Sequence, residues 1–125
     1  MKILIADDDD DLRDLTSMIL ESAGYEISAH VNGRKAWESL QKDGADLAVL
    51  DINMPEMDGL ELLDLIRADE RFREMPVMML TARRTPAEQA HGLQRGADAY
   101  MTKPFENDAL VASVKQLAQA FPKNG

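Results

Sequence analysis

The sequence has no cysteine, few basic residues relative to acidic ones and no long apolar stretch, and each shortage excludes a class of protein. Without cysteine there is no disulfide framework and no thiolate metal ligand or nucleophile, which fits a reducing compartment. A net charge of −9 argues against direct binding to nucleic acid and against docking on an anionic membrane. No apolar run approaches the roughly 20 residues that span a bilayer, and Asp7 interrupts the first run too early for a signal peptide. We therefore expect a cytoplasmic protein.

The residues that are present are typical of one globular domain. The chain has 125 residues, of which 45% are hydrophobic and 30% charged, so it can bury a core and is too apolar to be disordered. No internal repeat, low-complexity segment or internal linker divides it. We predict a single domain over residues 1–125, in which residues 122–125 form either a frayed end or the start of a linker.

Three short apolar runs each end in a reactive side chain. The runs are Ile3–Ala6, Leu47–Leu50 and Val77–Leu80. The first precedes Asp7 and Asp8, the second precedes Asp51, and the third precedes Thr81. Continuous apolar runs of this length are typical of parallel strands buried on both faces, and ligands bind beyond the carboxyl ends of such strands. If the three strands are neighbours, three carboxylates and a hydroxyl meet at one edge of the sheet.

Helix-like segments alternate with the strands. Apolar residues recur at helical spacing within residues 12–23, 34–42, 60–66, 90–93 and 110–121. The alternation over Tyr25–Val31 predicts a half-exposed edge strand, on which we expect His30 to be isolated on an exposed face, and Ala99–Thr102 predicts a fifth strand. Five strand–helix units with short connections indicate a doubly wound parallel α/β domain with right-handed crossovers. The helix that Thr85 opens has the weakest apolar face and is expected to be the least firmly packed.

Some of the acids have a simpler explanation at helix starts. Asp9–Asp11 lie at the positive end of the first predicted helix, where acidic residues cap the chain and stabilise the helix dipole. Asp58 with Glu61 resembles a capping box that opens the third helix. Asp7 and Asp8 lie farther from a helix start, so we take them as candidate ligands.

The remaining acids predict phosphate chemistry. Carboxylates gathered at one point repel each other unless they are protonated or share a cation. Oxygen ligands without histidine or cysteine favour Mg²⁺ or Ca²⁺, and Mg²⁺ usually completes its coordination with waters and a substrate phosphate. Thr81 adds a hydroxyl donor, and Lys103, at the end of the fifth strand, adds a positive charge. A carboxylate in these surroundings can act as a nucleophile toward a phosphoryl group.

Five segments with a familiar pattern stand in order at the predicted strand ends. They are Ile5-Ala6-Asp7-Asp8, Leu50-Asp51-Ile52-Asn53-Met54-Pro55 with Met57-Asp58-Gly59, Leu80-Thr81-Ala82, Gly96-Ala97, and Tyr100-Met101-Thr102-Lys103-Pro104-Phe105. Together they resemble a response-regulator receiver domain of two-component signalling, of the kind found in chemotaxis regulators, over essentially the whole chain. The resemblance implies a flavodoxin-like (βα)5 fold with a five-stranded parallel sheet in the order 2-1-3-4-5.

The resemblance implies roles for the acidic residues. Asp51 would be the phosphoacceptor. Asp8 and Asp51, with the backbone carbonyl of Asn53, would hold Mg²⁺, and Asp7 would act mainly through a bound water. The cofactor expected from the resemblance is therefore Mg²⁺.

The resemblance also implies a group of residues that detect phosphorylation. Thr81 and the backbone amide of Ala82 would contact the phosphoryl oxygens, and Lys103 would pair with them. Tyr100 would turn inward as Thr81 moves toward the phosphate, and the Lys103–Pro104 peptide bond would be cis. The simpler alternatives are an ordinary strand residue for Thr81, a solvated surface lysine for Lys103 and a packing aromatic for Tyr100.

The function implied by the resemblance is phosphorelay signalling. A histidine kinase or histidine phosphotransfer protein would transfer a phosphoryl group to Asp51, and the face of the fourth helix, fifth strand and fifth helix would then bind an output domain or protein. The protein would catalyse its own phosphorylation and dephosphorylation and would not turn over external substrates. We expect no direct contact of this domain with nucleic acid or membrane, and either a monomer or a phosphorylation-dependent dimer.

One departure concerns the dimer that receivers of winged-helix transcription factors form. Those receivers usually have Asp-Asp-Tyr before the lysine strand and an arginine-rich last helix. Here Ala99 replaces the second acid, and Ser113 and Lys115 stand where arginines are usual. Because both sides of a cross-dimer ion pair are missing, a stand-alone receiver, or one from another multidomain regulator, is at least as consistent with the sequence.

Two other classes of function remain open at this point. A phosphohydrolase of the haloacid-dehalogenase type would have its nucleophile at the first strand and an acid–base aspartate two residues later, which is the spacing of Asp7 and Asp9. The chain is short for such an enzyme. A flavodoxin-like cofactor binder would need a glycine- and hydroxyl-rich loop after the first strand, which the sequence lacks.

Overall fold

The sheet has the predicted strand order. The structure, a computed structural model, describes residues 1–52, 54, 56–81, 96–103 and 105–120. Its strands are β1 (Lys2–Ala6), β2 (Glu26–His30), β3 (Leu47–Asp51), β4 (Val77–Thr81) and β5 (Ala99–Thr102). They form one parallel five-stranded sheet in the order β2-β1-β3-β4-β5, which confirms the doubly wound α/β fold.

Four helices of the described residues cover the sheet. They are α1 (Asp10–Ser22), α2 (Gly33–Asp43), α3 (Gly59–Ala68) and α4 (Asn107–Ala120). Helix α4 is the fifth helix predicted from the sequence, and the helix predicted to follow Thr85 lies outside the described residues. Within the described ranges, no helix has the length and apolar character needed to cross a membrane.

Side-chain caps determine where two of the helices begin. Oδ1 of Asp9 accepts a hydrogen bond from the amide of Leu12 at 3.1 Å, and Oδ1 of Asp58 accepts one from the amide of Glu61 at 2.9 Å. Each bond satisfies an N–H group of the first turn, which has no partner within the helix. The capping roles predicted for Asp9 and Asp58 are confirmed.

Two apolar layers enclose the sheet because successive residues of a strand point to opposite faces. On β1, Leu4 packs in the layer that includes α2 and α3, whereas Ile3 and Ile5 pack in the layer that includes α1 and α4. These three residues are fully buried. Burial of both faces explains why the central strands appear as continuous apolar runs and not as alternating ones.

Strand β2 lies at the edge of the sheet and is only partly buried, as its alternating pattern predicts. The expectation that His30 is isolated on an exposed face is wrong. His30 is half buried, and its Nε2 lies 2.7 Å from Oγ of Ser28, which in turn lies 3.3 Å from Oγ of Ser39 on α2. The polar face of β2 is covered by α2 because the sheet is wound on both sides. This burial lowers the pKa of His30, and the charge of Lys2 acts in the same direction.

Arg67 on α3 ties together the amino ends of β4 and β5. Its guanidinium donates to the carbonyls of Gly96 at 2.9 Å and Met75 at 2.7 Å, and it pairs with Oδ2 of Asp98 at 2.8 Å. The same carboxylate oxygen accepts from the amide of Val77 at 2.9 Å. Asp98 is the acid that this chain keeps of the pair found in winged-helix receivers. Its carboxylate is engaged within the fold by Arg67 and the amide of Val77.

Candidate functional site

The carboxyl ends of β1 and β3 bring three aspartates together. Ala6 of β1 lies level with Leu50 of β3, so the residues that follow them meet at the same edge of the sheet. Carboxylate oxygens of Asp7, Asp8 and Asp51 lie within 4.8 Å of one another. Asp7 and Asp51 are only 1% and 5% exposed, whereas Asp8 is exposed. The predicted convergence of these strand ends is confirmed, and it concentrates negative charge at one buried point.

Asp7 is held by bonds from both the strand and the helix beside it. Its amide donates to the carbonyl of His30 at 3.1 Å, and its Oδ1 accepts from the amide of Asp9 at 3.0 Å. The guanidinium of Arg13 donates to the carbonyl of Asp7 at 2.8 Å and pairs with Asp10 at 2.6 Å. Sequence reasoning did not single out Arg13. The sequence feature that could have indicated Arg13 is its three-residue spacing from Asp10 along a helix, which favours an ion pair.

Asp51 is fixed by close packing of its backbone against the start of α3. A Cβ built on Gly59 would overlap the carbonyl oxygen of Asp51, so this approach requires glycine. The amide of Gly59 donates to the carbonyl of Ile52 at 2.9 Å, and the amide of Ile52 donates to the carbonyl of Leu80 at 3.1 Å. These bonds hold the Asp51 side chain where β3 passes into the loop before α3.

Lys103 brings a positive charge to the same point from β5. Its Nζ lies 3.2 Å from Oδ2 of Asp7 and 3.3 Å from Oδ1 of Asp51. Its backbone amide donates to the carbonyl of Thr81 at 2.7 Å, which fixes the lysine beside the end of β4. One ammonium group therefore bridges two carboxylates that come from different strands.

The described side chains leave the negative charge at this edge unbalanced. Burial raises the pKa of Asp51 to about 6, Lys103 opposes this shift, and the neighbouring charges of Asp7 and Asp8 reinforce it. A raised pKa of a carboxyl means that its ionised form lacks sufficient solvation and positive charge. A further cation at the cluster would supply the missing positive charge.

Thr81 and Tyr100 stand where the sequence predicts them. Thr81 ends β4, level with Thr102 of β5, and is fully buried. Tyr100 is partly buried against the core layer that includes α2 and α3. A threonine and an aromatic residue on adjacent strands therefore both lie close to the edge that carries the acids.

Three residues to which the resemblance assigns roles lie outside the described residues. They are Asn53, Ala82 and Pro104, assigned to a carbonyl ligand, a phosphoryl-binding amide and a cis peptide bond. These assignments stay predictions.

The donor set fits a small hard cation. All three converging side chains offer carboxylate oxygens, the ligands that Mg²⁺ prefers, and among the described residues the ammonium group of Lys103 faces two of them. Asp9, the second aspartate of the hydrolase spacing, uses its carboxylate to cap α1. Its geometry therefore favours a helix role over acid–base catalysis.

Comparisons with known proteins identify the family. The response regulator receiver domain family matches residues 3–115. RpaA, a DNA-binding dual master transcriptional regulator of Synechocystis, is 40% identical over 116 residues, which are 93% of this chain and 48% of that protein. The regulatory protein VanRc of Enterococcus gallinarum is 40% identical over 122 residues, which are 98% of this chain and 52% of that protein. The chain spans about half the length of these curated relatives.

A solved structure shares the fold. The chemotaxis protein CheY4 of Vibrio cholerae matches with a TM-score of 0.88 and 32% sequence identity, over 93% of this chain and 97% of that chain. The family match, the relatives and this structure agree with the resemblance drawn from the sequence segments. The chain belongs to the response regulator receiver domain family of two-component signalling.

Proposed function

We propose that Asp51 accepts a phosphoryl group from a histidine kinase or a histidine phosphotransfer protein. The observation that carries this proposal is the placement of a buried carboxylate between two further carboxylates and an ammonium group. The raised pKa of Asp51 is a second support, because perturbed carboxyl groups in such clusters are typical of functional sites.

The chemistry is a substitution at phosphorus. A carboxylate oxygen of Asp51 forms a bond to phosphorus, and the P–N bond to the donor imidazole breaks. The imidazole keeps the electron pair and takes up a proton from solvent. Lys103, whose Nζ lies 3.3 Å from Asp51, would pair with the phosphoryl oxygens, since such sites stabilise the charge on these oxygens.

Asp8, Asp51 and the backbone carbonyl of Asn53 would hold Mg²⁺, with Asp7 acting through a bound water. When bound, Mg²⁺ supplies positive charge that reduces the repulsion between the carboxylates and the incoming phosphoryl oxygens. Asp7 fits an indirect role because its Oδ1 accepts from Asp9 and its Oδ2 faces Lys103. Asp8 is the exposed member of the cluster and fits direct contact with a hydrated ion.

Phosphorylation would change the conformation of the face formed by β5, α4 and the helix predicted after Thr85. Thr81 and the amide of Ala82 would bind the phosphoryl oxygens, and Tyr100 would follow the movement of Thr81. Such a readout shifts a pre-existing equilibrium between two conformations. The occupant of this face would be an output domain or protein.

We further propose that this chain is a single domain that promotes its own phosphorylation and dephosphorylation and has no external substrate. It would work in the cytoplasm as a monomer or a phosphorylation-dependent dimer, without direct contact with nucleic acid or membrane. The unbalanced acidic cluster supports the proposal that the domain promotes its own phosphorylation. The net charge of −9 supports the proposal that it does not contact nucleic acid or membrane.

Phosphoryl uptake by the wild-type protein tests this proposal. Incubated with Mg²⁺ and acetyl phosphate, the wild type is expected to gain the mass of one phosphoryl group, measured on the intact protein. Asp51→Asn is expected to gain none, because an amide is a far weaker nucleophile than a carboxylate.

Asp58→Asn is the matched control for this measurement. Asparagine caps helices about as well as aspartate, so α3 should begin unchanged and uptake should equal that of the wild type. Absence of uptake in the wild type, or undiminished uptake in Asp51→Asn, would rule out Asp51 as the acceptor.

A further inference from the structure

The segment between β3 and α3 contains a backbone conformation that its own residue type does not favour. Glu56 has φ +66°, in the left-handed region, where a side chain other than Gly, Asn or Asp is uncommon. Such a conformation is strained and persists only when the surrounding structure imposes it. The contacts of Glu56 therefore indicate what holds this segment in place.

The described contact of the Glu56 side chain is with Asn32, at the start of α2. Nδ2 of Asn32 donates to Oε2 of Glu56 at 2.7 Å, across 24 residues of sequence. Oδ1 of the same amide accepts from the amide of Lys35 at 2.8 Å and so caps α2. Asn32 is 5% exposed, so both halves of its amide are used in a largely buried position.

Backbone packing brings the same two segments into contact at the next residues. A Cβ built on Gly33 would overlap the carbonyl oxygen of Met57. The start of α2 therefore lies directly against the segment that leads from Asp51 to α3. Two adjacent contacts, one a hydrogen bond and one a close backbone approach, join them.

This anchored segment is part of the proposed site. It begins at Ile52, next to Asp51, and in sequence it includes Asn53, the proposed carbonyl ligand. The amide of Gly59 donates to the carbonyl of Ile52 and so joins the two ends of the segment, and Met54 within it is buried in the core. The bond from Asn32 to Glu56 adds an anchor between Met54 and the start of α3.

We propose that Asn32 is a positioning residue for phosphorylation: its bond to Glu56 holds the segment after Asp51 in the conformation that binds Mg²⁺ and accepts the phosphoryl group. The inference rests on the proposed role of Asp51. Asn32 itself touches neither the carboxylate cluster nor the reacting atoms among its described contacts, so it acts through the loop.

The variant Asn32→Asp separates this role from helix capping. Aspartate caps a helix as well as asparagine does, so the bond from Lys35 is retained. The donor to Glu56 is replaced by a second carboxylate, so attraction becomes repulsion. We expect Mg²⁺ affinity, measured by calorimetry, to fall about tenfold, the size found when a group supporting a metal ligand is removed. Phosphorylation by acetyl phosphate at subsaturating Mg²⁺ should slow to a similar extent.

Two further variants make the test specific. In the double variant Asn32→Asp with Glu56→Gln, the glutamine amide can donate to the new carboxylate, so Mg²⁺ affinity and phosphorylation rate should return toward wild type. Glu56→Gln alone keeps an acceptor for Asn32 and should behave as wild type. Hydrogen–deuterium exchange of residues 52–58 in metal-free protein should be faster in Asn32→Asp and restored in the double variant.

Each outcome has a defined meaning. Wild-type Mg²⁺ affinity, phosphorylation rate and exchange in Asn32→Asp would overturn the positioning role, and so would an equal defect in the single and double variants. Failure of the wild-type protein to bind Mg²⁺ or to take up a phosphoryl group would instead overturn the proposed function itself. Loss in the single variant with recovery in the double variant supports both.

Discussion

In metal-free protein at about pH 8, Asp51→Asn is expected to raise the free energy of unfolding by about 3 kcal/mol. The pKa of Asp51 is raised from 3.8 to about 6, chiefly by burial, so between these pH values the folded protein binds a proton more readily than the unfolded chain. The contribution of Asp51 to stability is therefore complete below about pH 4 and is lost as the pH rises through about 6. Asparagine does not titrate and avoids this loss.

The measurement is urea denaturation of both proteins in the presence of a chelator over a series of pH values. The stability difference between Asp51→Asn and wild type should be small at about pH 4 and reach its full size above about pH 7. Asp58→Asn, which changes a helix-capping carboxylate that is not one of the three clustered acids, should show no such increase with pH. A difference of the same size at every pH would contradict the charge imbalance at the site.

Lys103→Met is expected to have the opposite effect, lowering the free energy of unfolding by about 3 kcal/mol in metal-free protein at the same pH. The ammonium group lies 3.2 Å from Asp7 and 3.3 Å from Asp51, and its charge lowers the pKa of Asp51. Methionine fills a similar volume but leaves two buried carboxylates without their cation. The pKa of Asp51 should therefore rise further in this variant.

Added Mg²⁺ should stabilise Lys103→Met more than it stabilises the wild type, because a bound cation replaces the missing positive charge and no longer competes with the lysine. Denaturation curves with and without Mg²⁺ measure this difference. Lys115→Met, which removes an exposed lysine on α4, is the control and should respond to Mg²⁺ as the wild type does. Equal stabilisation of Lys103→Met and wild type by Mg²⁺ would show that the lysine and the metal do not share these carboxylates.

The apolar runs were sufficient to predict a parallel α/β fold with reactive residues at one edge, because doubly buried parallel strands leave a continuous apolar run and the residue after each run lies at the same edge of the sheet. The strand order that makes Asp7, Asp8 and Asp51 neighbours came from the resemblance to receiver domains. Lys103 could be placed at that edge by the same rule. The bridge that Lys103 forms between Asp7 and Asp51 could not be predicted, since it depends on the distances between side chains that come from three different strands.

Sequence patterns could not predict the contacts that hold the site in place. The bond from Arg13 to the carbonyl of Asp7 and the bond from Asn32 to Glu56 depend on how a helix start packs against a loop. Neither periodicity nor residue type specifies such packing, because these residues also read as ordinary helix or loop residues. The burial of His30 could not be predicted either, because strand alternation does not show which helix covers the polar face of β2.

The most direct test of the central claim is to locate the phosphoryl group. After reaction with acetyl phosphate and Mg²⁺, borohydride reduces an aspartyl phosphate to a primary alcohol, so the modified aspartate appears as homoserine in peptide mass spectra. We expect homoserine at position 51 and none at Asp7 or Asp8. Homoserine at either of those positions, or a phosphorylated protein with no reduced aspartate, would contradict it.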